Sequence, residues 1–152
     1  MKQTWILIAN ATRARVLERR ATDRALLELA DFVYPAKSLV DEAAGGDLTG
    51  AAGKGHGRTG HAGTQFELTT EVKDKARANF ARQLADYLNQ GVSEQRCQAL
   101  MLIASSPMLG DLKPLLSSAA SSLLQQTVAS DLTRYQHAEL QERVERALQL
   151  PV

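Results

Sequence analysis

Short apolar runs separated by polar turns fill the first third of the chain, and this pattern predicts β-strands. Residues 4–9 form a nearly continuous apolar run, which is typical of a strand that is covered on both faces. Asn10 opens a turn, because Asn tolerates the left-handed backbone that many turns need. Residues 14–18 then return as a second strand.

A third strand is predicted at residues 26–33, after the polar sequence "RRATDR". Because successive side chains of a strand point to opposite faces, this strand should place Leu29 and Ala30 on opposite sides of the sheet. Three consecutive strands joined by short turns predict an antiparallel meander.

The middle of the chain carries the clearest helical pattern. Thr69 or Thr70 can cap this helix, and Glu71 suits the positive end of its dipole. Gly91 follows as a stop signal, since glycine commonly ends helices. The apolar stripe recurs every four residues, at Val72, Ala76, Phe80, Leu84 and Leu88.

The last third predicts two further strands and two helices. Residues 99–104 are a continuous apolar run and predict a central strand, and residues 123–129 predict another. A short helix is predicted between these strands. Residues 105–107 (Ser-Ser-Pro) provide a cap followed by proline at the start of this helix, and Pro114 should bend or end it. Asp131 or Thr133 can cap the last helix, which carries one apolar face formed by Leu140, Val144 and Leu148.

The predicted order of elements, β-β-β-loop-α-β-α-β-α, indicates an α/β fold in a single domain. Three antiparallel strands followed by two right-handed β-α-β crossovers make a mixed five-stranded sheet. This arrangement is ribonuclease-H-like, and the middle domains of release factors also use it. The fold does not fix the function, which must be argued from the site.

A glycine-rich loop at about residues 36–67 interrupts this pattern. Eight of the ten glycines fall between Gly45 and Gly63, and no period of either kind continues through the segment. Loops longer than about 12–15 residues in compact domains are usually functional or disordered. We therefore predict that this loop is flexible. The glycines that give it this flexibility are Gly53, Gly55, Gly57, Gly60 and Gly63.

Composition and charge limit the possible binding partners and the cellular compartment of the protein. A net charge of +1 gives no general attraction to nucleic acid, so any such binding must come from a local patch. Cys97 is the only cysteine, which excludes an internal disulfide and fits a reducing compartment. The chain shows neither a signal peptide at its start nor an apolar run of membrane-spanning length. These features predict a cytoplasmic protein with no membrane partner.

Three chemistries are not supported by the spacing of the residues. A two-metal nuclease needs several carboxylates, yet the first strand has none and Asp31 stands alone. A phosphate-binding P-loop would need glycine where Leu48 stands and a hydroxyl residue where Gly55 stands. His56 and His61 have no spacing typical of a metal site. We expect no metal ion and no cofactor.

A cationic bias from Gly53 to Arg82 is the main functional signal. Six cations against three carboxylates give this segment a net charge of +3. Cations spread along a flexible arm and a helix suit contact with an RNA backbone, although a solvated helix face behind a disordered loop explains the same composition. Lys54, Arg58, Lys73, Arg77 and Arg82 are the predicted phosphate contacts, and His56, His61 and Gln65 are the predicted base contacts.

The chain resembles the host attachment protein family, described as required for attachment to host cells. The resemblance spans four segments in order: "WILIANATRARVLE", "FARQLADYL", "LMLIASSPMLGDLKPLL" and "VASDLTRY". The departures are Ala11 in place of the usual glycine, Ser106 in place of the first residue of a Pro-Pro pair, and Lys113 in place of a common arginine. The resemblance implies the fold given above and a role in attachment or colonisation.

That family is similar to the middle domain of eukaryotic and archaeal class-1 release factors and of Pelota, in which a basic glycine loop precedes a long helix. The catalytic Gly-Gly-Gln tip of release factors corresponds to residues 63–65, where Thr64 replaces the second glycine. A β-branched residue restricts the backbone freedom that this tip requires. The resemblance therefore implies a non-enzymatic factor that associates with the ribosome, rRNA or tRNA in stress, hibernation or rescue.

Two alternatives remain at the sequence level. The protein can act in host attachment, indirectly or as a protein-interaction module. It can also be a degenerate peptidyl-tRNA hydrolase that works through Gln65. The exposed edge of the predicted meander leaves room for a homodimer.

Overall fold

The structure is a computed structural model that describes residues 2–20, 23–34 and 69–149. Its centre is one five-stranded sheet with the strand order β3-β2-β1-β4-β5. The strands are β1 (Gln3–Ala9), β2 (Arg13–Arg20), β3 (Asp23–Val33), β4 (Ala99–Ala104) and β5 (Leu124–Ala129). β1, β2 and β3 pair antiparallel, whereas β4 pairs parallel with both β1 and β5. The predicted α/β fold with a mixed five-stranded sheet is confirmed.

In the described residues, four α-helices accompany the sheet. They are α1 (Thr70–Ser93), α2 (Ser106–Leu112), α3 (Ser118–Leu123) and α4 (His137–Leu148). A 3-10 turn, Lys113–Leu115, follows α2 and contains Pro114, as the sequence predicts. The sequence pattern missed α3, because this short serine-rich helix has no apolar period of its own. None of the described helices combines the length and the apolar character that crossing a membrane requires.

The described residues form two hydrophobic cores, which lie on opposite faces of the sheet. On one face, α1, α2 and α3 cover alternate strand residues, so that Trp5 of β1 packs in the same core as Phe80 of α1. On the other face, α4 covers Ile6 and Ile8 through Leu140. Strand β1 is buried on both sides because it lies at the centre of the sheet, which explains its continuous apolar sequence.

Gly91 does not end the long helix, and this prediction was wrong. The residue lies buried inside α1, which continues to Ser93. The helix ends instead through Gln95, which takes the left-handed conformation (φ 61°) often given to glycine. None of the described glycines has a positive φ.

The cap predicted for the last helix was also wrong. Helix α4 begins at His137, and its N-cap residue is Gln136, whose side chain makes no capping hydrogen bond. Asp131 and Thr133 lie before the helix and bond to Asn10 instead. Asn10 itself does not take the left-handed backbone. Its Oδ1 accepts hydrogen bonds from the backbone N–H groups of residues 12 and 13. These side-chain hydrogen bonds hold the turn.

Strand β3 departs from strict alternation. Val16 pairs with Ala30, but the next residue of β2, Leu17, pairs with Glu28, so Leu29 is an extra residue in β3. This bulge turns both Leu29 and Ala30 toward the core under α1. The predicted placement of these two side chains on opposite faces was therefore wrong.

Candidate nucleic-acid interface

The glycine-rich segment lies outside the described residues. Its flexibility and its contacts with RNA therefore stay predictions. This applies to Lys54, His56, Arg58, His61 and Gln65, and to the glycines Gly53, Gly55, Gly57, Gly60 and Gly63. The described residues on either side show where this segment joins the fold.

Both ends of the segment join the fold at the same edge of the sheet. Tyr34 follows β3, donates its backbone N–H to the carbonyl of Thr12 (2.8 Å), and places its ring 5.6 Å from that of Phe80 in α1. Helix α1 begins at Thr70, about 15 Å along its axis from Phe80. The chain thus leaves at the carboxyl end of β3 and re-enters on the same side, at the start of α1.

Thr69 fixes the start of α1, as the sequence predicts. Its Oγ1 accepts a hydrogen bond from the backbone N–H of Val72 at 3.1 Å. Glu71 lies in the first turn, where a carboxylate favours the positive end of the helix dipole. The first exposed cations of the helix follow within two turns of this cap.

Arg77 joins α1 to α2 through an ion pair. Its Nε donates to Oδ2 of Asp111 at 2.6 Å, and its NH1 group donates to Oδ1 of Asp74 at 3.0 Å. The hydrogen bond with Asp111 raises the pKa of Arg77 above its usual value, while partial burial acts in the opposite direction. Two carboxylates therefore compensate this guanidinium within the protein, and its contact with phosphate stays a prediction.

Lys73 and Arg82 are exposed, but they do not share one side of the helix. Lys73 lies one turn before Arg77 and on the same side, whereas Arg82 lies about 140° further round the helix. Lys75 is one of the six cations between residues 53 and 82, but it is not among the predicted phosphate contacts. This exposed lysine is seven residues before Arg82, two turns away on the same side, and that spacing could have revealed it. Arg82 also donates to Asn79 Oδ1 at 3.0 Å.

A polar cluster joins the turn after β1 to the segment after β5, at the carboxyl ends of the parallel strands. Asn10 Nδ2 donates to Asp131 Oδ2 (3.0 Å) and to Thr133 Oγ1 (3.1 Å). Thr133 donates its backbone N–H (3.0 Å) and its hydroxyl (2.7 Å) to Oδ1 of Asp131. The members satisfy one another, so the cluster fastens the ends of β1 and β5 together.

The carboxyl group of Asp131 is held in its charged form by this cluster. Burial alone would raise its pKa, but the hydrogen bonds from Asn10 and Thr133, together with the nearby Arg134, lower the pKa below its usual value. The carboxylate is therefore a stable acceptor throughout the neutral range.

A cleft of about 430 Å³ lies between the β2–β3 face and the start of α4. The buried Arg15 borders it, and its Nε and NH2 groups donate to one carboxylate oxygen of Glu28 at 3.0 and 2.7 Å. Its NH1 group donates to the carbonyl of Tyr135 at 2.6 Å. The guanidinium thus holds the segment before α4 against β3, and its charge is compensated inside the protein.

The structure shows the environments of Cys97 and Asp31. Cys97 is buried, and this burial raises its thiol pKa to about 11, so the group behaves as a small apolar side chain. Asp31 is exposed and pairs with Arg13 at 3.4 Å. Within the described ranges, no three His, Cys, Asp or Glu side chains are grouped closely enough to hold a metal ion.

The sequence matches the family described as "Protein required for attachment to host cells" over residues 5–144. The chain belongs to this family. The resemblance stated from the sequence is confirmed, and the matched range covers most of β1, the strands β2 to β5, and most of α4. No curated protein matches the sequence of this host-attachment family member.

The solved structures that resemble the chain include the following three. A chain of the PilM-PilN type IV pilus biogenesis complex is 17% identical with a TM-score of 0.43, and the alignment covers 93% of this chain and 41% of that one. The Aquifex aeolicus Ppx/GppA phosphatase is 7% identical with a TM-score of 0.42, and the alignment covers 85% of this chain and 36% of that one. The archaeal translation termination factor aRF1 is 9% identical with a TM-score of 0.46, and the alignment covers 97% of this chain and 39% of that one. The family member thus spans about two fifths of the length of each.

Proposed function

We propose that this protein is a non-enzymatic RNA-associated factor that contacts the ribosome, rRNA or tRNA. The observation that carries the proposal is the placement of the two ends of the glycine-rich segment. They join the sheet at one edge, where α1 also presents exposed cations. Lys54 and Arg58 in the segment and Lys75 and Arg82 on the helix would then bind the phosphates of one RNA.

The cationic side chains of α1 differ in how readily they can bind a phosphate group. Between Thr69 and Arg82 there are four cations and two carboxylates, Glu71 and Asp74, which leaves a net charge of four minus two, or +2. Arg77 is already bonded to two carboxylates, one of them on α2. Lys75 and Arg82 are exposed on a side of the helix that faces away from the core, and they are therefore the favoured contacts.

The experiment is cosedimentation of the protein with ribosomes at low and moderate salt. Phosphate contacts release counterions, so pelleting should weaken as salt rises. The double variant Lys75→Gln/Arg82→Gln should reduce pelleting, and so should Lys54→Ala/Arg58→Ala. The matched control is Arg143→Gln/Arg146→Gln, which removes the same charge from α4 on the opposite face of the sheet.

Two outcomes would contradict the proposal. One is a protein that stays in the supernatant at low salt. The other is an equal loss of pelleting in the α4 control, which would mean that only total charge matters. Release of a labelled peptide from peptidyl-tRNA that depends on Gln65 would favour the hydrolase alternative instead.

A role in host attachment is a second candidate, and the family description favours it. The family member could act as an interaction module or influence attachment indirectly. Protease treatment of intact cells distinguishes these two routes, because only a surface-exposed protein would be degraded. Loss of the protein under conditions that spare a cytoplasmic marker would support direct attachment.

A further inference from the structure

The opposite edge of the sheet carries a second concentration of positive charge. A cavity of about 310 Å³ lies there, on the face of the sheet that α4 covers, and we call it the amino-edge cavity. It is lined by Lys2, Thr4, Arg19, Arg20, Met101 and Gln125. This edge holds the amino ends of the parallel strands, whereas the glycine-rich segment joins the fold at the carboxyl ends.

The register of the sheet brings these residues together. Antiparallel pairing of β1 and β2 sets Thr4 opposite Arg19, and Gln3 opposite Arg20. Lys2 then lies just before the start of β1. On the other side, Leu100 pairs with Leu124 but Met101 pairs with residue 126, so Gln125 is an extra residue in β5. A bulge of this kind re-aims a side chain, and it gives Gln125 its place at the cavity.

The lining of the cavity is suited to an anion. It contains three cations together with a hydroxyl and an amide, and none of these described lining residues carries a carboxylate. Thr4 and Gln125 can each donate a hydrogen bond, and Lys2 is exposed. A bound anion would accept charge-assisted hydrogen bonds from these cations, and such bonds are stronger than those between neutral groups.

Arg20 keeps most of its hydrogen-bonding capacity for a ligand. Its Nε donates to Glu18 Oε1 at 3.3 Å, which fixes the side chain and compensates part of its charge. Among the described residues, the two terminal NH2 groups of this guanidinium have no hydrogen-bond partner. A planar guanidinium presents paired donors whose spacing matches two oxygens of a phosphate.

We propose that the amino-edge cavity binds a phosphate group. The inference goes beyond the proposed function and does not depend on it, because it uses other residues at the opposite edge of the sheet. The same chemistry can come from two sources, which are the phosphodiester of an RNA and a free phosphorylated small molecule. The experiment separates these sources.

The probes are inorganic pyrophosphate and a short unstructured RNA, each titrated into the full-length protein at low ionic strength by calorimetry. Lys2→Gln removes an exposed cation of the cavity, and Gln125→Glu places a carboxylate at its rim. The matched controls are Lys113→Gln and Gln83→Glu, which make the same changes at exposed residues elsewhere. All four substitutions fall on exposed side chains, so circular dichroism should show unchanged folding.

We expect pyrophosphate to bind at one site and each cavity variant to weaken it by about fivefold to tenfold, with both controls unchanged. This result assigns the site to a free phosphate compound. Binding of RNA but not pyrophosphate, weakened by the same two variants, assigns it to an RNA backbone. Either result supports the cavity as a phosphate site.

The inference is overturned if neither probe binds, or if cavity and control variants weaken binding equally. Its failure is distinguishable from failure of the proposed function. Ribosome cosedimentation that is lost in Lys75→Gln/Arg82→Gln but kept in Lys2→Gln would retain the α1 interface. If the calorimetric titrations also show no weakening by the cavity variants, the cavity proposal alone falls.

Discussion

Gly91 of α1 lies directly against the indole of Trp5 in β1, with no room for a side chain between them. A Cβ at Gly91 would overlap Cζ3 and Cη2 of the ring. The indole is almost fully buried, stacks on Tyr87 at 5.5 Å, and lies beneath the guanidinium of Arg96 at 5.1 Å. The glycine is therefore required by the close approach of helix and strand, and it does not serve as a helix stop.

The first prediction is that Gly91→Ala destabilises the protein. Overpacking against Trp5 should cost about 1–3 kcal/mol of unfolding free energy, more than the helix propensity of alanine returns. Gly110→Ala is the control, because it also lies in a helix but a Cβ there meets nothing within 4 Å. That variant should be neutral or more stable by up to about 1 kcal/mol. Urea denaturation measures both, and equal stability of the two variants would refute the steric account.

The second prediction concerns acid stability and Asp131. Its pKa in the folded protein is below the usual value of 3.8, so ionisation stabilises the folded state at all pH values above that value. The contribution is lost as the pH falls through the folded pKa. Unfolding free energy measured in urea should therefore drop more on acidification in the native protein than in Asp131→Asn. Parallel pH profiles would show that the bonds to Asn10 and Thr133 do not stabilise the carboxylate.

The third prediction separates the two arginines of α1. Arg77→Gln should lower the unfolding free energy by about 1 kcal/mol, since it leaves Asp111 without its partner. Arg82→Gln removes an exposed cation and should change stability by less than about 0.5 kcal/mol. A double-mutant cycle with Asp111→Asn measures the pair directly. A coupling energy near zero would mean that Arg77 does not join α1 to α2 energetically.

The fourth prediction concerns Cys97. With a thiol pKa of about 11, almost none of the group is ionised at neutral pH, and only the thiolate reacts rapidly. A maleimide should label the native protein slowly and the urea-unfolded protein quickly. Rapid labelling of the folded protein would show that this part of the core opens readily.

The sequence predicted those parts of the fold that depend on local pattern. The apolar runs of β1 and β4 announce buried strands, and Thr69 marks the start of α1 because a cap acts within one turn. The errors arose where a distant partner decides the outcome. Asp131 has the residue type of a helix cap, yet it bonds to Asn10, which is 121 positions away in the chain. Position 91 requires glycine because the indole of Trp5, which is distant in the sequence, packs directly against it.

The candidate sites show the same limit. Composition identified the cations of α1, but it could not show that Arg77 pairs with Asp111 on another helix while Arg82 remains exposed. The amino-edge cavity was not foreseen, because Lys2 and Gln125 meet only through the register of three strands. The contribution of the glycine-rich segment stays a prediction.

The joining of residues 35–68 to one edge of the sheet has a consequence for protein engineering. In topological terms this stretch connects two anchored endpoints, because the backbone of Tyr34 bonds to Thr12 and Thr69 caps α1. A shorter tether between Tyr34 and Thr69 would keep both endpoints and the five described strands. A scaffold that still folds with this tether would accept a foreign sequence at that position and would be a platform for displaying peptides.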